Sequence, residues 1–109
     1  TAQRFSECFF SGDIEVLPGK MDKVLAILNN EGGLPKTRAY DGCISIELSV
    51  NKERNIIFVQ ENWESFDKFN TYIKWRQTED TSIAEIIPYL KGSANGLKII
   101  QGNSNYKSY

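Results

Sequence analysis

The chain has 109 residues, the size of one ordinary domain. It carries 13 Lys and Arg against 14 Asp and Glu, a net charge of -1. This balance argues against a nucleic-acid partner, because such proteins normally present a basic face. No apolar run approaches the roughly 18 residues of a transmembrane helix, and no secretory signal is visible. We therefore expect no membrane partner and a cytoplasmic location.

The absence of histidine removes several kinds of chemistry. With no histidine, the chain has no Ser-His or Cys-His nucleophile pair and no His-ligated zinc, haem or iron. The two cysteines, Cys8 and Cys43, are too few for a zinc ribbon and too far apart for a CxxC motif. Each lies among apolar residues, which predicts reduced packing residues, although a bond between them stays open. We expect no metal site.

The first half of the chain predicts a strand, a helix and a second strand. The first strand lies within 4–17, where Gly12 suggests a bulge or a bend. A helix follows, because four apolar residues fall at the i, i+3, i+4, i+7 spacing of one helix face: Met21, Val24, Leu25 and Leu28. The glycine pair at 32–33 ends it, and 34–40 is long enough for one further turn. Strict alternation over 43–50 predicts a half-buried strand.

The second half predicts a strand, a helical region in two parts and a last short strand. Residues 56–63 start apolar on both parities, as a central strand should. Ser65 can cap the helix that begins after it. A second helical pattern covers 83–90, where Pro88 implies an early end or a kink. The last strand is predicted at 97–101.

The element order is βαββαβ, the order of the ferredoxin-like plait, an α+β fold with an antiparallel sheet and helices on one face. The other face of the sheet is bare. It carries either Ile56 and Phe58 or Ile57 and Val59 of the central strand. Leaving several such side chains in water forgoes several kcal/mol, at about 25 cal/mol per Å². We therefore predict a second copy packed against this face, in a homodimer or a higher even oligomer.

A motif in the middle of the chain connects it to a known family. Asp41-Gly42-Cys43 opens the alternating strand, and the central strand ends in Glu61-Asn62-Trp63. An amphipathic helix with Phe66 then follows. This pattern resembles the antibiotic biosynthesis monooxygenase-like family of dimeric α+β barrels, in which the third strand ends in Glu-x-Trp. The resemblance implies one such domain over 1–102 and two sheets that close into a barrel. The polar residues at 103–109 are expected to form a flexible tail, or else an arm onto a partner.

The resemblance implies an apolar small-molecule pocket and leaves its use open. Some members oxidise aromatic polyketides with O2 and without metal or flavin, some degrade haem with a His ligand, and others have no established reaction. The oxygenases place an Asn four residues before the Trp and a Tyr six after it, where this chain has Val59 and Phe69. One hypothesis is therefore cofactor-independent oxidation of a phenol or quinol. The alternatives are a non-catalytic binding protein for a fatty acyl or aromatic molecule, and a structural interaction domain.

Glu61 and Trp63 are the candidate catalytic residues. Glu61 shares a strand face with apolar neighbours, where a carboxylate is costly unless it is paired. It is either a structural ion pair, with Arg38, Lys98 or a lysine of a second subunit, or a pocket carboxylate with a raised pKa that accepts a proton. Trp63 is the one residue that this chain keeps of the Asn, Trp and Tyr found in the oxygenases.

The candidate ligand-binding residues surround the end of the central strand. Trp63 and Tyr72 are expected to lie close together, either as core packing or as the wall of a pocket for a flat apolar molecule. Arg38 lies on a loop that can overhang the pocket, where with Lys36 it can hold an anionic head group; a solvated loop charge is the alternative. The predicted set is Leu25, Arg38, Tyr40, Val59, Trp63, Phe69, Tyr72 and Ile73.

Overall fold

The structure is a computed structural model that describes residues 8–93 and the backbone of 97–101. Its elements are β1 (Cys8–Glu15), α1 (Met21–Leu28), α2 (Leu34–Arg38), β2 (Cys43–Asn51), β3 (Ile56–Trp63), α3 (Phe66–Thr78), a 3₁₀ helix (Ala84–Tyr89) and β4 (Leu97–Gln101). This order confirms the ferredoxin-like α+β fold with a divided second helical region. The tail predicted at 103–109 lies outside the described residues. Among the described helices, none has both the length and the apolar character to cross a membrane.

The four strands form one antiparallel sheet in the order β2-β3-β1-β4. β3 lies between β2 and β1, as its apolar character on both parities predicts. β1 keeps an unbroken register with both neighbours across Gly12, so the bulge or bend expected there is absent. The register of β2 shifts instead between Cys43 and Ser45.

Local sequence explains where the helices begin and end. The Ser65 side chain accepts a hydrogen bond from the backbone N–H of Lys68 at 3.2 Å, which confirms it as the cap of α3. α1 ends at Leu28, earlier than the glycine pair at 32–33 predicts, and Gly33 instead precedes α2. Pro88 falls inside the 3₁₀ helix. A proline lacks the N–H that a longer α-helix would need at that position.

The core on the helix side of the sheet has an aliphatic part and an aromatic part. The aliphatic part joins β1, β2 and β3 to α1, α2 and the 3₁₀ helix, with Val24, Ile57 and Ile86 fully buried. The aromatic cluster consists of Phe10, Trp63, Phe69 and Tyr72, with Tyr40 and Trp75 packed against it. Cys43 contacts both parts.

The opposite face of the sheet is left without a helix among the described elements. Phe9 and Phe58 lie on it and are 43% and 39% exposed, whereas Ile57 on the other side of β3 is fully buried. Strand alternation places Ile56 with Phe58 on this bare face. Of the two pairs that the sequence allowed, the bare face therefore carries Ile56 and Phe58.

The two cysteines flank Trp63, one on each side of it in the sheet. Cys8 on β1 and Cys43 on β2 both pair with Trp63 of β3, and no disulfide joins them. Two strand spacings put their Cα atoms about 10 Å apart, whereas a disulfide needs less than about 7 Å. The fold therefore excludes the Cys8–Cys43 bond that the sequence left open.

Candidate functional site

A cavity of about 410 Å³ lies on the helix side of the sheet, beneath α3 and the 3₁₀ helix. Small-molecule sites commonly have volumes in this range. Gly12 and Val59, partners across β1 and β3, lie in its floor, and Ile73 and Ile87 lie in its helical wall. Gly12 alternates with the buried Phe10 and Ile14, so its missing side chain leaves space above the sheet. The glycine that suggested a bulge thus contributes to the cavity.

Glu61 is the acidic residue of the cavity lining. It is only 7% exposed, and its Oε1 accepts the indole N–H of Trp63 at 3.0 Å. Burial raises the pKa of the Glu61 carboxyl, and the Trp63 hydrogen bond offsets part of this rise. Within residues 8–93, no Lys or Arg forms an ion pair with Glu61; the Lys98 side chain lies outside the described residues.

A hydrogen-bonded network of Tyr72, Thr37 and Arg76 forms the second polar part of the site. The Tyr72 and Thr37 hydroxyls are 2.6 Å apart, and Arg76 Nε donates to the Tyr72 hydroxyl at 2.8 Å. Arg76 Nη2 donates to Thr37 Oγ1 at 2.8 Å. Burial raises the pKa of the Tyr72 phenol, the bonds from Thr37 and Arg76 act against the rise, and the charge of Glu61 adds to it. The Glu61 carboxylate and the Tyr72 hydroxyl are therefore within electrostatic reach of each other.

Arg76 also joins α3 to the start of α2. Its Nη1 donates to Gly32 O at 2.7 Å, and its Nη2 donates to Gly33 O at 2.8 Å. Nη1 also pairs with Asp80, four residues later and just past the end of α3, at 2.8 Å. Burial opposes ionisation of Asp80, but the Ser82 N–H and the Arg76 guanidinium outweigh it and lower the pKa of that carboxyl. Both side chains of the ion pair are about nine-tenths buried.

The structure brings four of the sequence-predicted residues together at the cavity: Val59, Glu61, Tyr72 and Ile73. Trp63 and Phe69 lie in the aromatic cluster instead, and Trp63 is fully buried there. The Trp63 and Tyr72 rings are 5.0 Å apart, in agreement with the expectation that they lie close together.

The other predicted residues lie outside the cavity lining. Leu25 packs against the aliphatic core, and Tyr40 packs on Tyr72 with ring centroids 5.2 Å apart. Arg38 donates to Ile46 O at 3.4 Å. Lys36 lies 3.9 Å from Asp80 and over the Trp75 ring. The two cations proposed for an anionic head group thus face other partners.

Sequence reasoning missed Arg76, Thr37 and Gly12. The local signal for Arg76 was its spacing, since Tyr72, Arg76 and Asp80 follow one another at four-residue intervals, the first two on α3 and Asp80 just past its end. Thr37 had no local signal, because its partners lie 35 and 39 residues further along the chain. Within the described residues, no three His, Cys, Asp or Glu side chains lie together in a way that could hold a metal ion.

Comparison with known proteins identifies the family. The family model described as "Antibiotic biosynthesis monooxygenase" matches residues 11–81, more than half of the chain, and includes β1 from Ser11 onward and the whole β2–β3–α3 unit. The chain belongs to this family. The match confirms the resemblance drawn from Asp41-Gly42-Cys43 and Glu61-Asn62-Trp63. No functionally curated protein matches the chain by sequence.

Solved structures from several organisms share the fold of this antibiotic biosynthesis monooxygenase family member. A Mycobacterium tuberculosis protein has a TM-score of 0.72 at 16% identity, over 95% of this chain and 100% of its own. A Bacteroides thetaiotaomicron protein has a TM-score of 0.70 at 14% identity, over 96% and 95%. A Chloroflexus aurantiacus protein has a TM-score of 0.61 at 24% identity, over 78% and 82%. At such identities the likeness shows the fold alone.

Proposed function

We propose that this protein is a cofactor-independent monooxygenase that oxidises a phenolic or quinol-type molecule inside the cavity. The observation that carries the proposal is Glu61, a buried carboxylate with a raised pKa in an otherwise largely apolar cavity. A general base works best when its pKa lies near the operating pH, and burial moves a carboxyl in that direction. Membership of the antibiotic biosynthesis monooxygenase family supports this choice of chemistry.

The proposed reaction begins with proton transfer from the phenol O–H to Glu61. The phenolate that forms is electron-rich, and the apolar walls keep its charge away from bulk water. Dioxygen then attacks the ring carbon para to the oxygen. One oxygen atom becomes a new carbonyl, and the other leaves as water with the para hydrogen and the hydroxyl proton. The phenol loses four electrons to become a quinone, and O2 gains four.

The second candidate is a binding protein without turnover. Val59 and Phe69 occupy the positions at which the oxygenases similar to this chain have Asn and Tyr. This site therefore offers fewer polar groups that could position a substrate for reaction with O2. Val59 lines the cavity and Phe69 belongs to the aromatic cluster. An apolar cavity with few polar groups suits a ligand that is bound and released unchanged.

We also propose that two copies of the chain pack through their bare sheet faces, as a homodimer or as part of a higher even oligomer. Phe9, Ile56 and Phe58 supply the apolar surface on that face. Burial against a second sheet would remove these apolar side chains from water, which favours an interface on this face. The cytoplasmic location expected from the sequence stays a prediction.

Oxygen uptake tests the enzyme proposal. Wild-type protein is incubated with a panel of phenols that carry hydrogen on the para carbon, beside Glu61→Gln and a matched control, Glu53→Gln, whose carboxylate is exposed in the β2–β3 turn. We expect Glu61→Gln to lower the uptake rate about 100-fold, a typical contribution of a general base, and Glu53→Gln to match the wild type. Equal uptake in all three proteins would contradict the role of Glu61. No uptake, together with a small molecule retained in native mass spectrometry, would favour the binding protein.

A further inference from the structure

Every N–H group of the Arg76 guanidinium donates a hydrogen bond to another group of the protein. An Arg side chain has five N–H groups. The Nε group donates to Tyr72, the Nη1 pair donates to Gly32 O and Asp80, and the Nη2 pair donates to Gly33 O and Thr37. Among the described residues that line the cavity, Arg76 is the one with a cationic side chain. Although it lies in the wall, it therefore has no N–H left for a ligand.

The hydrogen bonds around Tyr72 also decide which group its hydroxyl hydrogen points to. Its oxygen already accepts from Arg76 Nε, and its hydrogen can go either to Thr37 Oγ1, 2.6 Å away, or into the cavity. Thr37 Oγ1 accepts from Arg76 and has Gly33 O at 3.4 Å as an acceptor for its own hydrogen. When Tyr72 donates to Thr37 and Thr37 donates to Gly33, both buried hydroxyl hydrogens have partners. Satisfying both is the favourable arrangement, because an unpaired buried polar group is costly.

We infer that Thr37 and Arg76 hold the Tyr72 hydroxyl as a hydrogen-bond acceptor, so that the cavity selects uncharged molecules that donate hydrogen bonds. The ionised Glu61 carboxylate is likewise an acceptor, with its Oε1 already bonded to Trp63. Of the other polar lining residues, Gln77 and Thr81 are exposed and lie at the mouth. The inference rests on the proposed function in taking this cavity as the substrate site.

This polarity separates a phenolic substrate from its oxidised product. A diol or a phenol can donate hydrogen bonds to Glu61 and to Tyr72. A quinone has only acceptor oxygens, so the Glu61 and Tyr72 oxygens would face its lone pairs with no hydrogen between them. A site built to bond a hydroxyl rejects analogues that lack it, because its buried groups are then unpaired. A carboxylate, such as that of a fatty acid, would also meet the Glu61 charge, and the described residues of the cavity lining include no cation with a free N–H to offset it. The cavity thus favours substrate binding and product release.

Anaerobic binding of matched probes tests the inference without any oxidation. The probes are hexylresorcinol with two donors, hexylphenol with one donor, hexylresorcinol dimethyl ether with none, and the anion hexylbenzoate. Affinities are measured by calorimetry at a pH where the wild-type protein binds hexylresorcinol most tightly. We expect hexylresorcinol to bind wild-type protein at least about tenfold more tightly than the dimethyl ether or hexylbenzoate, the worth of one or two hydrogen bonds. Equal affinity for hexylresorcinol and either of these, or no binding of hexylresorcinol, would overturn the inference.

Variants of Tyr72 and Thr37 separate selectivity from a merely structural effect. Tyr72→Phe should weaken hexylresorcinol about tenfold and leave hexylphenol unchanged, while Tyr89→Phe, on a half-buried tyrosine outside the cavity lining, leaves both unchanged. Thr37→Val removes the acceptor of the Tyr72 hydrogen and frees it to donate into the cavity. We therefore expect Thr37→Val to bind the dimethyl ether several-fold more tightly than the wild type does. Thr37→Ser keeps the hydroxyl and should keep the wild-type preference.

The outcomes distinguish this inference from the proposed function. An unchanged preference in Thr37→Val, or a preference lost in Thr37→Ser, would contradict the role of Thr37. If Thr37→Val does not fold, the comparison of Tyr72→Phe on two-donor and one-donor probes decides the inference. Selective anaerobic binding without any O2 uptake would support the inference and reject the oxygenase. O2 uptake without selective binding would support the oxygenase and reject the inference.

Discussion

The indole N–H of Trp63 donates to Glu61 Oε1 across 3.0 Å, between side chains two residues apart on the same face of β3. Trp63 is fully buried in the aromatic cluster and does not line the cavity, whereas Glu61 does. Trp63 is thus a positioning residue, which holds the carboxylate through a hydrogen bond that favours its charged form. This relationship gives the Glu-x-Trp pattern a physical meaning in this chain.

Trp63→Phe is expected to shift the pH dependence of O2 uptake. The indole hydrogen bond lowers the pKa of Glu61 against the larger effect of burial, so its loss raises that pKa further. The basic form of Glu61 then appears at higher pH, and the rising limb of the pH–rate profile shifts to higher pH. Trp75→Phe, on a half-buried tryptophan outside the cavity lining, serves as the control. A profile of Trp63→Phe that overlays the wild type would reject the positioning role.

Glu61→Gln is expected to raise the free energy of unfolding near pH 8. Burial raises the pKa of Glu61 in the folded protein, so the folded state binds this proton more tightly than the unfolded state does. Stability from this group is therefore full at acidic pH and falls as pH rises through the folded pKa. Gln carries no charge at either pH. Urea unfolding at pH 8 and pH 4 should show the gain at pH 8 only, and a gain of equal size at both would contradict the assignment.

Arg76→Met is expected to destabilise the fold by about 3–5 kcal/mol, the usual cost of breaking a buried ion pair. The change strands Asp80 and removes the donors that serve Gly32 O, Gly33 O and Thr37. Lys74→Met removes an exposed cation from the same helix and should change stability by less than about 0.5 kcal/mol. Urea unfolding measures both. Similar values for the two variants would show that the network contributes nothing beyond a surface charge.

Gly12→Val is expected to abolish ligand binding while preserving the fold. The new side chain projects from the middle of β1 into the cavity floor, opposite Val59. Glycine inside a strand costs roughly 0.5–1 kcal/mol of backbone entropy, so the substitution should leave the melting temperature equal or higher. Calorimetry with hexylresorcinol and thermal unfolding check the two halves. Unchanged affinity in a folded variant would place the ligand elsewhere.

Phe58→Asp is expected to convert the oligomer to a monomer. Phe58 is 39% exposed on the bare face of the sheet, and a carboxylate there would have to be desolvated in a sheet-to-sheet interface. Phe66→Asp is the matched control, since Phe66 is 40% exposed but lies at the start of α3. Sedimentation at micromolar concentration distinguishes the 12.4 kDa monomer from larger species. A wild-type monomer would reject the interface, as would an oligomer that survives the Phe58 change.

The candidate site was only partly predictable, and the reason is the range of the interactions. The pairing of Trp63 with Tyr72 follows from a strand end and the helix right after it, so a local motif was enough. Arg76 depends on carbonyls of Gly32 and Gly33 more than forty residues earlier. From the sequence, an Arg on a helix close to Lys74 is expected to be a solvated surface charge. Its buried role becomes visible only when the loop with Gly32 and Gly33 is packed against it.

The sequence by itself determined the element order, the bounds of β3 and the capping of α3 by Ser65, because hydrophobic periodicity and capping act over a few residues. Only the tertiary structure decided which face of β3 is buried, that Cys8 and Cys43 stand apart, and that Arg76 has no donor to spare. A cavity is a gap between elements that approach from distant parts of the chain. Its shape and polarity therefore exist only once α2, α3 and the sheet are packed together.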